Sequence, residues 1–508
     1  MKNSLGRFVP EGFIPFKGAD TLIKNMKRVL VPEVTTRETD KVIRTLSDLF
    51  DLIPITDGMT LSFHHHLRNG DGVLNMVLSE IKKRKLKNMT LAPSAIFPIH
   101  GPLVELIKNQ NVTSIYTNYI NGPVADCITQ GYLKYPLVMD THGGRPRAIE
   151  SGELKIDVAF IAVPTSDHLG NGNGIDELSA CGALGYAISD LQYAKKKVVV
   201  TDHLVDHVSL AEIEERYVDY IVKVNQIGDA KGIVSGTTKP TRDPVQLKIA
   251  KDTAQLIDEL GFIKDGLSFQ TGAGGTSIAV ALEVQKRMTE KKIKGSFASG
   301  GITSFLVEMH EKGLFEKLYD VQCFDLDAVK SYKKNPKHLP MSASEYGNPL
   351  EVNPIVNNLD VVILGATEID TKFNVNVTTD SSGNLIGGSG GHSDTAYGAK
   401  LTIITTNLVK SRTSMVKDSV TTITTPGESV DCLVTERGIA INPQRQDLLN
   451  RLKGSKLHLL TIEELLAKAT EITGVPTPLE PSNRVIGVVR YRDGSIIDTL
   501  YQKSEEQS

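Results

Sequence analysis

Short apolar runs alternate with stretches of helical periodicity along most of this chain. The run at 197–201, for example, reads KVVVT, whereas apolar residues recur three and four positions apart between 73 and 81. Alternating strands and helices predict a mostly parallel sheet with helices on both faces. In the first half, strands are predicted at 89–92, 112–116, 157–163, 197–201 and 220–224, and helices at 38–50, 101–109, 123–130 and 175–194.

The second half repeats this alternation after a break at 225–244, which is rich in Gly, Thr, Lys and Pro and predicts a linker. Because 508 residues exceed a single core, we expect an N-terminal extension at 1–50 and domains at 51–235 and 236–508. The fold class is predicted as α/β, with two related domains and the active site in the cleft between them. Second-half strands are predicted at 295–298, 361–365, 373–377, 401–406, 421–424 and 432–435, and helices at 247–260, 276–288, 304–311 and 461–469.

Composition and charge exclude several classes of protein. The net charge of −3 comes without a long basic block, so no nucleic-acid partner is expected. No apolar run approaches the ~18 residues of a membrane span, and the polar start lacks the apolar centre of a signal peptide. Four dispersed cysteines favour buried free thiols over disulfides or a thiolate zinc site. We therefore expect a cytoplasmic protein without a membrane partner.

A glycine turn at 272–275 follows the apolar run 267–271 and precedes a helical pattern. Glycines allow unusual dihedral angles, and free N–H groups at a helix start attract anions or polarised carbonyl oxygens. Gly272, Gly274 and Gly275 are therefore candidate catalytic residues. An ordinary strand-to-helix turn explains the same glycine pattern about equally well.

A second glycine cluster spans 382–394 and reads SGNLIGGSGGHSD. Composition alone favours a flexible surface loop. The strands predicted on both sides favour instead a fixed loop whose N–H groups suit a carboxylate or a thioester carbonyl. The candidates here are Ser389, Gly390, Gly391 and His392.

Other polar residues are candidates for substrate binding. His64 and His66 share one face of a strand. They suit a polar pocket wall better than a metal site, since no nearby Cys, Asp or Glu stands at the spacing of a metal ligand. Arg145 presents a planar fork to carboxylates. Asn171 lies in a polar turn between glycines, and Glu345 is a carboxylate beside Gly347 that could equally cap a turn.

The segments 272–275, 388–394 and 434–440 resemble the coenzyme A-transferase superfamily. The segment 141–153, THGGRPRAIESGE, is similar to the citrate lyase α-subunit family, and the similarity runs over nearly the whole chain. The resemblance implies two coenzyme A-transferase-like domains. It also implies exchange of an acyl thioester: the acetyl thioester of an acyl carrier protein, or acetyl coenzyme A, reacts with citrate to give citryl thioester and acetate.

The resemblance further implies partners and cofactors. We expect citrate, a β subunit that cleaves the citryl thioester, a carrier-protein γ subunit and further copies of the chain. No cofactor is expected to be bound permanently; the thioester is carried by a phosphoribosyl-dephospho-coenzyme A group on the carrier protein. No metal is expected.

One departure from the superfamily changes the predicted mechanism. Many relatives carry a nucleophilic glutamate where this chain reads SFASGGI at 296–302. Without a carboxylate there, citrate itself must attack the thioester and form a mixed anhydride. Ser299, Gly300 and Gly301 then become candidate substrate-binding residues, and Arg145 with His64 or His66 would hold the citrate carboxylates.

Two alternatives remain open within this fold: a coenzyme A thioester hydrolase, and a transferase for a related acid such as citramalate. A ligand-sensing module is disfavoured because no basic recognition helix is visible.

Overall fold

Two mostly parallel sheets organise the chain. The computed structural model describes residues 1–21, 26–32, 41–64, 66–234, 241–272, 274–475 and 482–503. Within these ranges the first sheet has ten strands, all parallel to their neighbours except the last pair. Their order across the sheet is Val42–Ile43, Tyr220–Lys223, Lys196–Thr201, Val158–Ala162, Thr60–Phe63, Met89–Pro93, Val112–Thr117, Leu137–Met139, Val485–Arg490 and Ile496–Tyr501.

The second sheet has eight strands in the described part of the chain and is parallel except at one edge, where the last two strands form a hairpin. Its strands are fully buried where they cross the core, as near-continuous apolar runs predict for parallel sheets. Their order is His338–Pro340, Phe315–Cys323, Gly295–Ile302, Ser268–Thr271, Val361–Gly365, Leu401–Thr405, Cys432–Thr435 and Gly438–Ile441.

Helices cover both sheets. Pro244–Glu259 and Gly275–Lys291 pack together on the second sheet and bury Ile249, Leu256 and Val280. The other described helices are Leu46–Leu52, Val73–Lys83, Leu103–Lys108, Pro123–Thr129, Gly144–Glu150, Ile188–Tyr193, Ser304–Glu311, Leu326–Lys334, Ala343–Gly347, His392–Gly398, Gln446–Arg451 and Ile462–Thr473.

Each half also carries a small sheet built on the same kind of turn. Asp167 accepts hydrogen bonds from its own turn and from the side chain of Asn171, and Asp370 does the same with Asn374. This repeated Asp-x-x-x-Asn turn supports two structurally related halves. The small sheets contain Thr165–Asp167, Gly172–Asn173 and His203–Val205 in one half, and Glu368–Asp370, Val375–Asn376 and Val416–Lys417 in the other; Val409–Lys410 pairs with Thr413–Ser414.

Strand pairing differs from the predicted boundaries at both ends of the chain. Val42–Ile43, inside the predicted extension, pairs with the first sheet. Val485–Arg490, inside the predicted second domain, pairs in parallel with Leu137–Met139 of the first sheet. The chain therefore returns to its first half before it ends. The predicted linker at 225–244 falls partly outside the described residues.

Candidate active site

The glycine-rich loop 387–391 closes onto the carboxyl edge of the first sheet. The Gly390 N–H donates to the carbonyl of Asn118 at 3.2 Å, and the Gly390 carbonyl accepts from His142 N at 2.8 Å. Thr141 and Gly390 also pair as an isolated parallel bridge. The flexible-surface alternative is therefore wrong, because the loop is fixed against the other half, at the boundary where the cleft was predicted.

Glycine is required in this loop because backbone and ring atoms leave no room for a Cβ. A Cβ on Gly388 would lie 2.3 Å from the carbonyl oxygen of Asn118, and one on Gly391 would lie 2.2 Å from Tyr346 Oη. Such approaches are too short for any side chain. The two halves thus meet through backbone contacts.

Asp394 joins the two halves directly below this loop. Its carboxylate accepts hydrogen bonds from Thr141 Oγ1 and Gly143 N, both at 2.8 Å, and Arg492 Nε lies 3.8 Å away. Asp394 is fully buried, and burial raises its pKa to about 6 despite the opposing charge of Arg492. A second-half carboxylate therefore positions the first-half turn 141–144.

A buried amide links the second-sheet edge to the same cleft. Gln270 Nε2 donates to Tyr346 Oη at 2.8 Å, and Ser299 Oγ donates to Gln270 Oε1 at 3.2 Å. Gly300 follows with φ of +107°, a conformation that glycine adopts readily. Ser299, Gly300 and Gly391 are thus gathered around Gln270 and Tyr346.

Neutral histidines line the first-half side of the cleft. The Ala162 amide donates to His64 Nε2 at 2.8 Å, so the proton of neutral His64 lies on Nδ1, which faces His66 Nδ1 at 2.8 Å. Burial lowers the pKa of His64 to about 4 and that of His66 well below its usual range. His64 and His66 do share one face, as predicted, but both are uncharged at neutral pH.

His142 completes this wall. Its ring packs on Tyr186 with a centroid separation of 4.7 Å, and a Cβ on Gly390 would lie 3.2 Å from its Nε2. Burial, together with the nearby cations Arg145 and Arg68, lowers the pKa of His142 to about 3. The cleft is thus lined by uncharged polar rings and by backbone amides, which suits a neutral thioester beside an anionic acid.

Comparison with known proteins identifies the family. The family described as citrate lyase, alpha subunit (CitF), matches residues 39–503. Citrate lyase alpha chains of Escherichia coli (strain K12) and Klebsiella pneumoniae are 47% and 43% identical over 92% and 97% of this chain, and the matches cover 91% and 96% of those proteins. The chain belongs to the citrate lyase α-subunit family.

Solved structures agree with this assignment. A structure described as the α subunit of citrate lyase from Streptococcus mutans, in complex with citrate, matches with a TM-score of 0.96 and 42% identity, covering 99% of this chain and 100% of that one. A malonate decarboxylase α subunit from Acinetobacter baumannii matches at 0.62 and 15% identity, over 86% of this chain and 92% of that one, and shows the fold alone. The predicted coenzyme A-transferase-like α/β fold is confirmed.

The catalytic glycines predicted for this citrate lyase α subunit divide into two groups. The Gly272 N–H donates to the carbonyl of Ile363, in the neighbouring strand, at 3.1 Å, so this N–H is not available to bind a thioester oxygen. Gly274 and Gly275 begin the helix that runs to Lys291, where N–H groups have no partner within the helix. Gly274 and Gly275 stay as predicted oxyanion donors.

His392 and Ser389 make hydrogen bonds that hold the glycine-rich loop in place. His392 Nε2 donates to the Gly365 carbonyl at 3.0 Å and Nδ1 accepts from Thr425 Oγ1 at 2.7 Å, while burial lowers the pKa of His392 to about 4. Ser389 Oγ donates to Ser393 Oγ at 3.3 Å. Both ring nitrogens of His392 are occupied, so it anchors the loop rather than presenting a free base to the cleft.

Arg145 does not match its predicted role as a citrate clamp. Its fork makes two hydrogen bonds of 2.7 Å to the Asp190 carboxylate and another of 2.7 Å to the carbonyl of Ala92. Arg145 is only 3% exposed and Asp190 only 1%. The fork that suits a carboxylate is therefore filled by one from the same chain.

Two further predictions are corrected by geometry. Asn171 holds the Asp167 turn and also bonds Glu215, with Nδ2 donating at 3.0 and 2.8 Å and Oδ1 accepting from Glu215 N at 3.1 Å. Glu345 is exposed and caps its own helix, where it accepts from Ser342 N at 2.7 Å. The alternative of a capping glutamate was the correct one.

Sequence reasoning missed residues that matter in the cleft. Gln270, Tyr346 and Tyr186 stand in unremarkable apolar or mixed segments, and only the fold brings them together. Asp394 ends the glycine-rich motif, and its place directly after Gly-Gly-His-Ser is the one signal that pointed to it. Arg68 was missed as well, because it stands in no recognisable motif.

Outside the cleft, Asp320, Cys323 and His338 form a fully buried cluster. Cys323 Sγ donates to Asp320 Oδ2 at 2.9 Å and His338 Nε2 lies 3.0 Å from the same oxygen, so the three groups satisfy one another. All four cysteines are buried and free, as predicted. Among the described residues, no helix is long and apolar enough to cross a membrane.

Proposed function

We propose that this chain exchanges the acyl group of a thioester between two acids, as the α subunit of a citrate lyase. Citrate displaces acetate from an acetyl thioester, and the products are citryl thioester and acetate. Family membership supports the reaction, and the sequence at 296–302 carries the mechanism because Ser299 stands there and not a carboxylate. Ser299 Oγ is hydrogen-bonded to Gln270 and has no base beside it among the described residues.

The reaction then proceeds through a mixed anhydride. A citrate carboxylate oxygen attacks the acetyl carbonyl and expels the thiolate, which leaves acetyl citrate anhydride. The thiolate then attacks the citryl carbonyl and expels acetate. Alignment of the two acyl groups can lower such a barrier by about 7–11 kcal/mol, and one oxyanion donor contributes about 3 kcal/mol. The N–H groups of Gly274 and Gly275 are the candidates for that donor.

The partners follow from the same assignment. A carrier-protein γ subunit would deliver the acetyl thioester on a phosphoribosyl-dephospho-coenzyme A group, with acetyl coenzyme A as a substitute. A β subunit would cleave the citryl thioester, and the α chain would associate with further copies of itself in the cytoplasm. This chain would hold no cofactor permanently.

The test is to mix the purified chain with acetyl coenzyme A and citrate and to follow both thioesters by mass spectrometry. Citryl coenzyme A that forms together with acetate, and only when citrate is present, supports the transferase. Loss of acetyl coenzyme A without citrate would indicate a hydrolase. Faster exchange with citramalate than with citrate would indicate that citramalate is the acid substrate. If free thioesters are inactive, the assay is repeated with acetylated carrier protein.

Labelled citrate tests the mechanism separately. If citrate carries ¹⁸O in its carboxylates, the anhydride route transfers one ¹⁸O atom to acetate in a single turnover. A glutamyl-enzyme route would release unlabelled acetate in that turnover, because the oxygen would come from the enzyme. Unlabelled acetate would overturn the anhydride.

A further inference from the structure

Arg68 occupies a fixed position near the histidine wall, where its charge acts on His142 and Tyr186. It follows the strand Thr60–Phe63 and begins the short turn Arg68–Gly70, with φ of +53°. That conformation is uncommon for a residue with a side chain and persists only where the surroundings impose it. Here the constraint is visible, since a Cβ on Gly70 would lie 1.9 Å from the Asp229 carbonyl oxygen and one on Gly72 would lie 2.9 Å from that of Ile227.

The guanidinium of Arg68 lies between aromatic rings from the two halves of the molecule. Its Cζ is 4.6 Å from the ring centroid of Phe324 and 5.7 Å from that of Phe97. Phe324 rests in turn on Gly301, where a Cβ would lie 2.2 Å from the ring. Stacking of this kind orients the planar fork but leaves its edge available for hydrogen bonds.

Charge pairing distinguishes Arg68 from the other arginines of the interior. Arg145 pairs with Asp190 and Arg492 lies beside Asp394; Arg147 and Arg490 both contact Glu153 at 2.7 Å. Within the described ranges, no carboxylate lies within 4 Å of Arg68. Its Nη1 is enclosed by protein and makes no hydrogen bond there.

The ligand that this arrangement suits is an anion. A half-buried cation whose Nη1 is enclosed without a carboxylate partner is costly, and a guanidinium fork binds a carboxylate in two parallel hydrogen bonds. Tyr119 and Tyr186, which interact electrostatically with Arg68, have pKa values raised by burial and are uncharged. His142, in the same neighbourhood, is also uncharged at neutral pH.

We propose that Arg68 binds a carboxylate of the acid substrate that does not react, and so selects a polycarboxylate over a monocarboxylate. The inference rests on the proposed function. Citrate engages Arg68 with one carboxylate while another attacks the thioester. Acetate has a single carboxylate, cannot do both, and is released. This role replaces the one that the sequence assigned to Arg145.

The test compares wild type with Arg68→Met, which preserves length and packing between the rings but removes the charge. We expect the Kd and KM for citrate to rise about 10- to 100-fold, as for loss of charged hydrogen bonds. The KM for acetyl coenzyme A should not change. The monocarboxylate 3-hydroxy-3-methylbutanoate keeps the hydroxyl group and one carboxymethyl arm of citrate but has no second carboxylate, so wild type should prefer citrate and Arg68→Met should lose most of that preference.

Two further variants serve as controls. Arg216→Gln removes a cation that stacks 4.7 Å from Tyr217 on the surface and should leave citrate binding unchanged. Arg68→Lys keeps the charge without the fork and should fall between wild type and Arg68→Met; it also serves if Arg68→Met does not fold. Calorimetric citrate binding is measured without thioester, so the result stands even if the proposed exchange reaction fails.

An unchanged ratio of citrate to 3-hydroxy-3-methylbutanoate affinity in folded Arg68 variants would overturn the inference. In that case Arg68 would only join Phe97 to Phe324, and its replacement would lower the thermal midpoint without changing ligand preference.

Discussion

At the scale of single residues, Asp394 should impose a measurable pH dependence on stability. Its pKa rises from 3.8 to about 6 on folding because burial penalises the charged form. Folding is therefore favoured by the protonated acid below pH 4, and this contribution is lost as the pH rises through 6. The penalty at neutral pH is on the order of 3 kcal/mol before relaxation.

The variant Asp394→Asn removes this titration and keeps an acceptor for Thr141 or Gly143. The difference in thermal midpoint, wild type minus variant, should decrease from pH 4 to pH 7 and then stay constant. Circular dichroism melts across that range measure it. A difference that does not depend on pH would show that Asp394 keeps an ordinary pKa in the folded chain.

Residue types predicted which kind of interaction a side chain makes, but not which group it makes that interaction with. An arginine fork predicts a carboxylate, and Arg145 does bind one, but the ligand is Asp190 of the same chain. Arg68 carried no local motif, because its surroundings come from Phe97 and Phe324, which are distant in sequence. Which charges compensate one another internally is decided by tertiary packing and cannot be derived from spacing.

At the scale of elements, position 143, directly before the helix Gly144–Glu150, should not tolerate a residue larger than glycine. A Cβ on Gly143 would lie 2.1 Å from the carbonyl oxygen of Gly347, which belongs to the other half. Since both sides of this contact are backbone, Gly143→Ala must separate the halves, at a cost of at least about 2 kcal/mol. Gly365→Ala, where a Cβ meets nothing within 4 Å, is the matched control for the melts.

Gly274 allows a different test of the second-half helix start. A Cβ on Gly274 meets no protein atom within 4 Å, so Gly274→Ala should melt like wild type. If its N–H faces the thioester, the added methyl group would crowd the substrate, and kcat/KM for the acetyl thioester should fall roughly tenfold or more. Full activity would remove Gly274 from the set of oxyanion donors.

Elements with strong apolar patterns were predictable, whereas those shaped by tertiary hydrogen bonds were not. The strands Val361–Gly365 and Cys432–Thr435 and the helix Ser304–Glu311 match their predicted bounds. The helix predicted at 175–194 is confined to Ile188–Tyr193, because Gly174 and Gly182 pack together as a turn. The strand predicted at 421–424 is irregular, and its threonine hydroxyls bond Thr378 and Thr379.

At the scale of the whole molecule, residues near both ends of the described chain meet at one edge of the first sheet. Asn3 donates its side-chain amide to the carbonyls of Ile496 and Ile497, at 3.1 and 2.7 Å. The alternation of strands and helices predicted two domains, yet no local pattern predicts that a C-terminal hairpin returns to the first domain. Such a pairing depends on the exposed edge of Leu137–Met139, which exists only after the first sheet has formed.

This closure predicts that the C-terminal hairpin stabilises the first half. Val488 is 0% exposed in the strand that pairs with both Leu137–Met139 and Ile496–Tyr501. Val488→Asp places a carboxylate in the core and should destabilise the protein by roughly 4 kcal/mol or more. Val475→Asp makes the same change where the side chain is 84% exposed, and its thermal midpoint should equal that of wild type. If both variants melt like wild type, the hairpin contributes nothing to the first sheet; if only Val488→Asp loses stability, the last strands are part of the first folding unit.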